Sequence, residues 1–162
     1  MTYPRATALT AAVKARIELI TVANGYRTEI GRRVHVGVLR GTPTDTPCSY
    51  LLPAAELGAV QYGVAQRERT YTVTSMVNGR DTWIDCYPPD PGAEWVIVDA
   101  VNADLCEAIE AAGAFDSSLV EHVTYEGSKP AYSEEGGELI GVTATYSIRY
   151  AIGKGDPDNP PS

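Results

Sequence analysis

Histidine, cysteine and long apolar runs are all scarce in this sequence, and each scarcity excludes a class of protein. The two histidines, His35 and His122, are the only side chains of the type that titrates near neutrality. Each lies in a valine-containing strand pattern, which reads as an ordinary strand histidine. Cys48, Cys86 and Cys106 are odd in number and widely spaced, so they offer neither a disulfide framework nor a zinc pattern and read as reduced thiols. No stretch approaches the roughly 18 consecutive apolar residues of a membrane span. The opening "MTYPRATALTAAVKAR" lacks the charged start, apolar run and small-residue cleavage site of a secretory signal. No G-x-S-x-G elbow precedes a helix, and "GKGD" near the end lacks the spacing of a phosphate loop.

Positive charge is also in deficit: 13 Lys and Arg stand against 21 Asp and Glu, a formal net charge of -8. Such a balance repels polyphosphate and argues against general nucleic-acid binding. Arg27, Arg32, Arg33 and Arg40 nevertheless cluster in "ANGYRTEIGRRVHVGVLRG". They read either as a solvated strand edge that resists pairing or as a local contact for an anionic partner. Carboxylates gather at Glu134, Glu135 and Glu138, and again at Asp156 and Asp158, without the regular spacing of a calcium loop. Solvated loop charge is the simpler reading of both groups, and neither a metal nor a cofactor is expected.

The 162 residues suit a single core, and 44% hydrophobic with 21% charged residues is a globular balance. From about residue 6 to 23, Leu9, Val13, Ile17 and Ile20 recur at steps of four, four and three, one amphipathic helix. Asn24-Gly25 supplies its stop. "RVHVGVLR" alternates Val34, Val36 and Val38 against His35, Gly37 and Leu39, the period of a half-buried strand. Pro53 and nearby glycines predict an edge strand over 57–62 with an irregular approach. "RTYTVTSMV" predicts a strand over 69–77. Asp90 and Pro91 look like the cap and first residue of a second helix that carries Val98, Val101, Leu105, Ile109 and Ala112. "LVEHVTYEG" and "GVTATYSIRYAI" predict two last strands, with "SKPAYSEEGGE" projecting between them as a loop.

The expected fold is therefore α+β: a mainly antiparallel sheet of about four to five strands with two amphipathic helices on one face. Residues 1–152 form the domain, and 153–162, "GKGDPDNPPS", a flexible tail. From the residues alone the chain is an acidic interaction domain, without enzymatic activity.

The order of "ITVANGYRTEIG", "RRVHVG", a proline-containing centre, "RTYTVTSMV", "WVIVDAVNADLCEAIEAA", "VTYEG" and "VTATYSIRYAI" resembles the tail terminator and tail completion proteins of long-tailed bacteriophages and their prophages. The resemblance runs through Ile152, with "NGYRT" its most specific stretch. It implies a virion protein, assembled in the bacterial cytoplasm, whose protomers form a hexameric ring at the head-proximal end of the tail tube. Such a ring halts tube polymerisation and meets the head connector or neck, and genomic DNA passes through its channel without specific binding. A neighbouring head-to-tail joining protein has a similar outline, and a small-molecule-binding α+β domain is the more distant alternative. Within a ring, Arg32, Arg33 and Arg40 of one protomer would face Glu134, Glu135 and Glu138 of the next, or the tube.

Overall fold

The computed structural model describes residues 4–40, 43, 45–61, 64–78, 94–132, 139–153 and 156–159. Helix α1 (Arg5–Glu18) leads through short 3-10 turns at Val22–Asn24 and Ile30–Arg32 into β1 (Val34–Val36). There follow β2 (Cys48–Gln61), β3 (Val64–Asn78), α2 (Glu94–Glu110), β4 (His122–Tyr132) and β5 (Leu139–Gly153). The strands form one sheet in the order β1-β2-β3-β5-β4, antiparallel except for the short β1–β2 pair. This is the expected α+β architecture. No helix among the described residues is long and apolar enough to cross a membrane.

Alternation decides which face is buried. Pairing of Tyr71 with Tyr146, Val73 with Ala144 and Val77 with Ile140 puts large apolar side chains of β3 and β5 on one face. Leu9, Val13 and Ile17 of α1 and Val101, Leu105 and Ile109 of α2 share a single core with that face. At roughly 1.5–3 kcal/mol per buried large apolar side chain, each helix is held by packing rather than by its own propensity. The alternate residues make the other face, where hydroxyls pair across strands: Thr70 with Ser147 and Thr74 with Thr143.

The first helix ends earlier than Asn24-Gly25 implies. It stops at Glu18, and Gly25, at φ 90°, instead closes the 3-10 turn that follows. Gly31 explains the difference: its N–H donates to the Ile20 carbonyl at 2.9 Å, withdrawing that acceptor from any further helical turn. Here a Cβ would lie 2.3 Å from the Ile17 carbonyl oxygen and 2.7 Å from that of Ile20, so only glycine fits. Ile20, the last member of the helical stripe, is still fully buried, although outside the helix.

Four further expectations are corrected. The valine strand is only Val34–Val36, because Gly37 takes φ 137° and, after donating to the Leu51 carbonyl, turns the chain away; Val36 and Val38 are exposed. The edge strand foreseen over 57–62 is the end of a much longer β2, whose irregularity is a bulge between Pro53 and Ala55. There Pro53 lies beyond the reach of β1, so its missing N–H costs the ladder nothing. Part of the presumed projecting loop is strand: Ser128, Lys129 and Pro130 pair with Ala144, Thr143 and Val142, following a bulge at Gly127. An edge strand with solvent on its outer side tolerates polar residues that alone suggest a loop. Finally, the tail is hydrogen-bonded over 156–159. Gly153 bridges Asp156, the Asn159 amide donates to Asp156, and the Pro157 carbonyl accepts the otherwise uncapped N–H of Arg5 at 3.0 Å. Asp90 and Pro91, the expected start of α2, lie outside the described residues.

Replacing Gly31 by Ala is expected to lower unfolding stability by ~2–3 kcal/mol through overpacking against backbone. Urea denaturation measures it; an unchanged midpoint would show that the α1 terminus does not depend on this contact.

Candidate functional site

The stretch "NGYRT" does not lie open for a partner. After Gly25 the chain turns so that Arg27 and Thr28 meet Asp104, a residue of α2 whose side chain is fully buried. The Asp104 carboxylate accepts the backbone N–H of Arg27 at 3.1 Å and of Thr28 at 2.8 Å, the Thr28 hydroxyl at 2.7 Å and the Arg27 guanidinium at 2.9 Å. Burying an ionised carboxylate is tolerable only when its lone pairs are filled in this way. Arg27 also donates to Glu107 at 3.0 Å. Hydrogen bonds to Glu107 and Asp104 raise its guanidinium above the ordinary value. This arginine is therefore a fastening of loop to helix.

The other arginines of the cluster are placed differently. Arg32 and Arg33 enter β1 and Arg40 follows it; all three are exposed. Arg32 keeps 63% of its side-chain exposure and among the described residues reaches Glu29 alone, at 3.8 Å. On β1, His35 is exposed and stacks on Tyr50 of the neighbouring strand with ring centroids 5.0 Å apart. The edge of the sheet at β1 thus presents Arg32, Arg33, His35, Val36 and Val38 together. Glu134, Glu135 and Glu138, the acidic counterpart, lie outside the described residues.

The remaining candidates for chemistry have structural surroundings. His122 is exposed at the start of β4, opposite Arg149 in register. Cys48 is buried, which pushes its thiol up to about 11. Cys106 is also raised by burial and receives the Tyr146 hydroxyl at 3.5 Å. Both thiols stay protonated at neutral pH and are poor nucleophiles; Cys86 lies outside the described residues. Asp156 accepts hydrogen bonds from Asn159 and from the Asp158 backbone, a turn of its own making. Among the described residues no group of three or more His, Cys, Asp or Glu is arranged to hold a metal ion.

Two features escape sequence reasoning. On the helix-covered face, Glu56 accepts from Arg69 at 3.1 Å and from the Tyr150 hydroxyl at 2.8 Å, while Tyr71 bonds Thr10 of α1 at 2.9 Å. Glu56 reaches this side because the Pro53/Ala55 bulge shifts the alternation of β2, and a bulge is not readable from composition. The second feature is a pair of shallow concavities. One, of about 250 Å³, is lined by Leu57, Gly58, Gln66, Arg67, Glu68 and Arg149. The other, of about 220 Å³, is lined by Arg27, Trp95, Val96, Asp99, Ala100 and Ala103. Neither contains a histidine or a cysteine, and both are rimmed by an exposed apolar side chain, Leu57 at 70% and Trp95 at 66%. Their composition suits docking of another surface better than bond-making chemistry.

No family model matches the chain, and no curated protein matches it.

Asp104→Ala is expected to reduce unfolding stability by ~3–5 kcal/mol, because four donors lose their acceptor. Arg27→Ala, at a half-exposed position, should cost no more than about 1 kcal/mol. Urea midpoints of the two variants give the comparison. Equal losses would contradict the primacy of the buried carboxylate.

Proposed function

We propose that this chain is a structural virion protein of a long-tailed bacteriophage, a tail terminator that forms a ring at the head-proximal end of the tail tube. The observation that carries the reading is an α+β body with unlike exposed surfaces. Helices close one sheet face, hydroxyl pairs and the apolar cluster of Cys48, Met76 and Leu139 lie on the other, and arginines flank β1 on a chain of net charge -8. A ring of identical protomers requires two different complementary surfaces on each. In addition, the segment that carries the family resemblance is tied into the fold at Asp104, as expected of a stretch that specifies an architecture.

In this role Arg32, Arg33 and Arg40 meet an acidic surface of the tube or of the adjacent protomer, with Glu134, Glu135 and Glu138 as the intramolecularly encoded counterpart. The acidic excess keeps DNA from adhering as it passes. The small-molecule reading called for a deep pocket with His35 or His122 at its base; both histidines are exposed and line neither concavity. A joining protein of the neck is the second reading, and it differs in which ring touches the tube.

Deleting the reading frame from the encoding phage and measuring tail-tube lengths in lysates by negative-stain microscopy separates these. Termination requires overlong tubes without heads. Tubes of normal length beside filled heads would replace termination by joining, and normal infectious particles would overturn both.

A further inference from the structure

An open sheet edge invites another strand, and among the described residues this fold guards its edges except along one stretch. On β4 the guard is a bulge at Gly127 followed by Lys129 and Pro130. Strand β1 is three residues long and covers β2 only from Ser49 to Leu51, after which Gly37 turns the chain away. Pro53 and the bulge before Ala55 guard the residues that come next. From Ala55 to Gln61, β2 pairs with β3 on one side and with nothing on the other among the described residues. This stretch of about 20 Å holds no Pro, Lys or Arg, and its one charge, Glu56, is turned to the helix-covered face, where Arg69 and Tyr150 take it.

Alternation decides which backbone groups point outward there. Ser49 donates its N–H to Arg33 and Leu51 offers its carbonyl to Gly37, so both turn their backbone away from β3. They lie opposite Ser75 and Val73, and the same alternate set of β3 continues as Arg69, Arg67 and Ala65, opposite Glu56, Gly58 and Val60. Those three residues of β2 therefore aim N–H and C=O groups at the open side. At Gly58 a side chain of β3 reaches the same edge: a Cβ added there would collide with the Arg67 guanidinium, which lies over β2 itself. Arg67 has no hydrogen bond or ion pair among the described residues. With Arg69 and Glu56 beside it, this corner holds two guanidinium groups against one carboxylate.

We propose that the edge over Ala55–Gln61 binds an extended segment of a different protein, which adds as a strand beside β2 and carries a carboxylate opposite Gly58. The outward groups of Glu56, Gly58 and Val60 supply the ladder, and another extended backbone is what matches their spacing. The incoming carboxylate meets Arg67 and balances its charge. On the opposite face, alternate side chains of the added strand lie beside Leu57, which is 70% exposed. A second copy of this chain has no equivalent strand to offer from β1, which is too short, or from β4, which is interrupted by its bulge and Pro130. This site goes beyond the ring reading and does not depend on it.

The test titrates the isotope-labelled full chain, followed by amide NMR, with a peptide matched in length to Ala55–Gln61 in which Val alternates with Thr and Glu stands at the centre. Saturable binding is expected with a Kd below about 1 mM, together with slowed exchange of the Glu56, Gly58 and Val60 amides. Lys in place of the central Glu should weaken binding at least about tenfold. Arg67→Gln should remove that preference, and so should Gly58→Ala, which keeps the N–H but pushes the guanidinium aside. Gly58→Pro deletes an outward N–H without touching the ladder to β3 and should abolish binding; should it fail to fold by circular dichroism, the other two variants decide. No amide response at about 2 mM peptide, or a response centred on β4 or Trp95, overturns the proposal. Protection of the same three amides that rises with protein concentration in the absence of peptide would make a second copy the occupant and overturn it as well. Each of these results leaves the ring reading to its own test.

Discussion

The structure depends on one buried carboxylate. Asp104 sits at a fully buried position of α2, where an aliphatic residue would ordinarily pack, and its carboxylate is met by donors of Arg27 and Thr28 in the loop after α1. A carboxylate in that position forces the loop after α1 to adopt one path, because an unfilled lone pair in the interior costs several kcal/mol. The consequences run onward through polar contacts. Two residues after Thr28, the Ile30 carbonyl accepts the Ser49 hydroxyl, which is 2.7 Å from that of Ser75 on β3. Gly31 then presses against the end of α1. Helix α2, the terminus of α1 and the centre of the sheet are thereby tied in one arrangement, and Arg27, so held, lines the concavity beside Trp95.

How much of this was legible in the sequence varies with how local the cause is. The stripe of Leu9, Val13 and Ile17 and the alternation of "GVTATYSIRYAI" are local patterns, and a helix and a strand lie on them; Ile20 falls just past the helix end. The end of α1 is not local: Asn24-Gly25 is a genuine turn signal, yet the helix yields earlier to a backbone contact from Gly31. Asp104 is one polar letter in an amphipathic helix and looks solvated until Thr28, remote in sequence, is brought to it. Glu56 changed faces through a bulge. The polar run from Ser128 to Pro130 read as loop because composition cannot separate a loop from an edge strand whose outer side meets water.

The same distinction applies to the surface. Sequence reasoning found the arginines, since charge clusters are visible in one dimension, and the structure keeps Arg32, Arg33 and Arg40 exposed while withdrawing Arg27 into the fold. It did not find Leu57 or Trp95, because a single apolar residue announces nothing about exposure. Their exposure follows from architecture: Leu57 points to the sheet face opposite Glu56, away from the helices, and Trp95 lies in the first turn of α2, off its core-facing stripe. A body with one helix-covered face, a basic edge and an acidic net charge is the protomer that the proposed ring around a polyanion calls for.

The central claim is that this chain works as one ring at one end of a tail tube. Cryo-electron microscopy of purified tails from the encoding phage, reconstructed at the head-proximal tip, tests it most directly. The account expects density for a single closed ring of this fold capping the last tube layer. Tails that end in tube protein alone, or rings of this fold repeated along the tube, would contradict it.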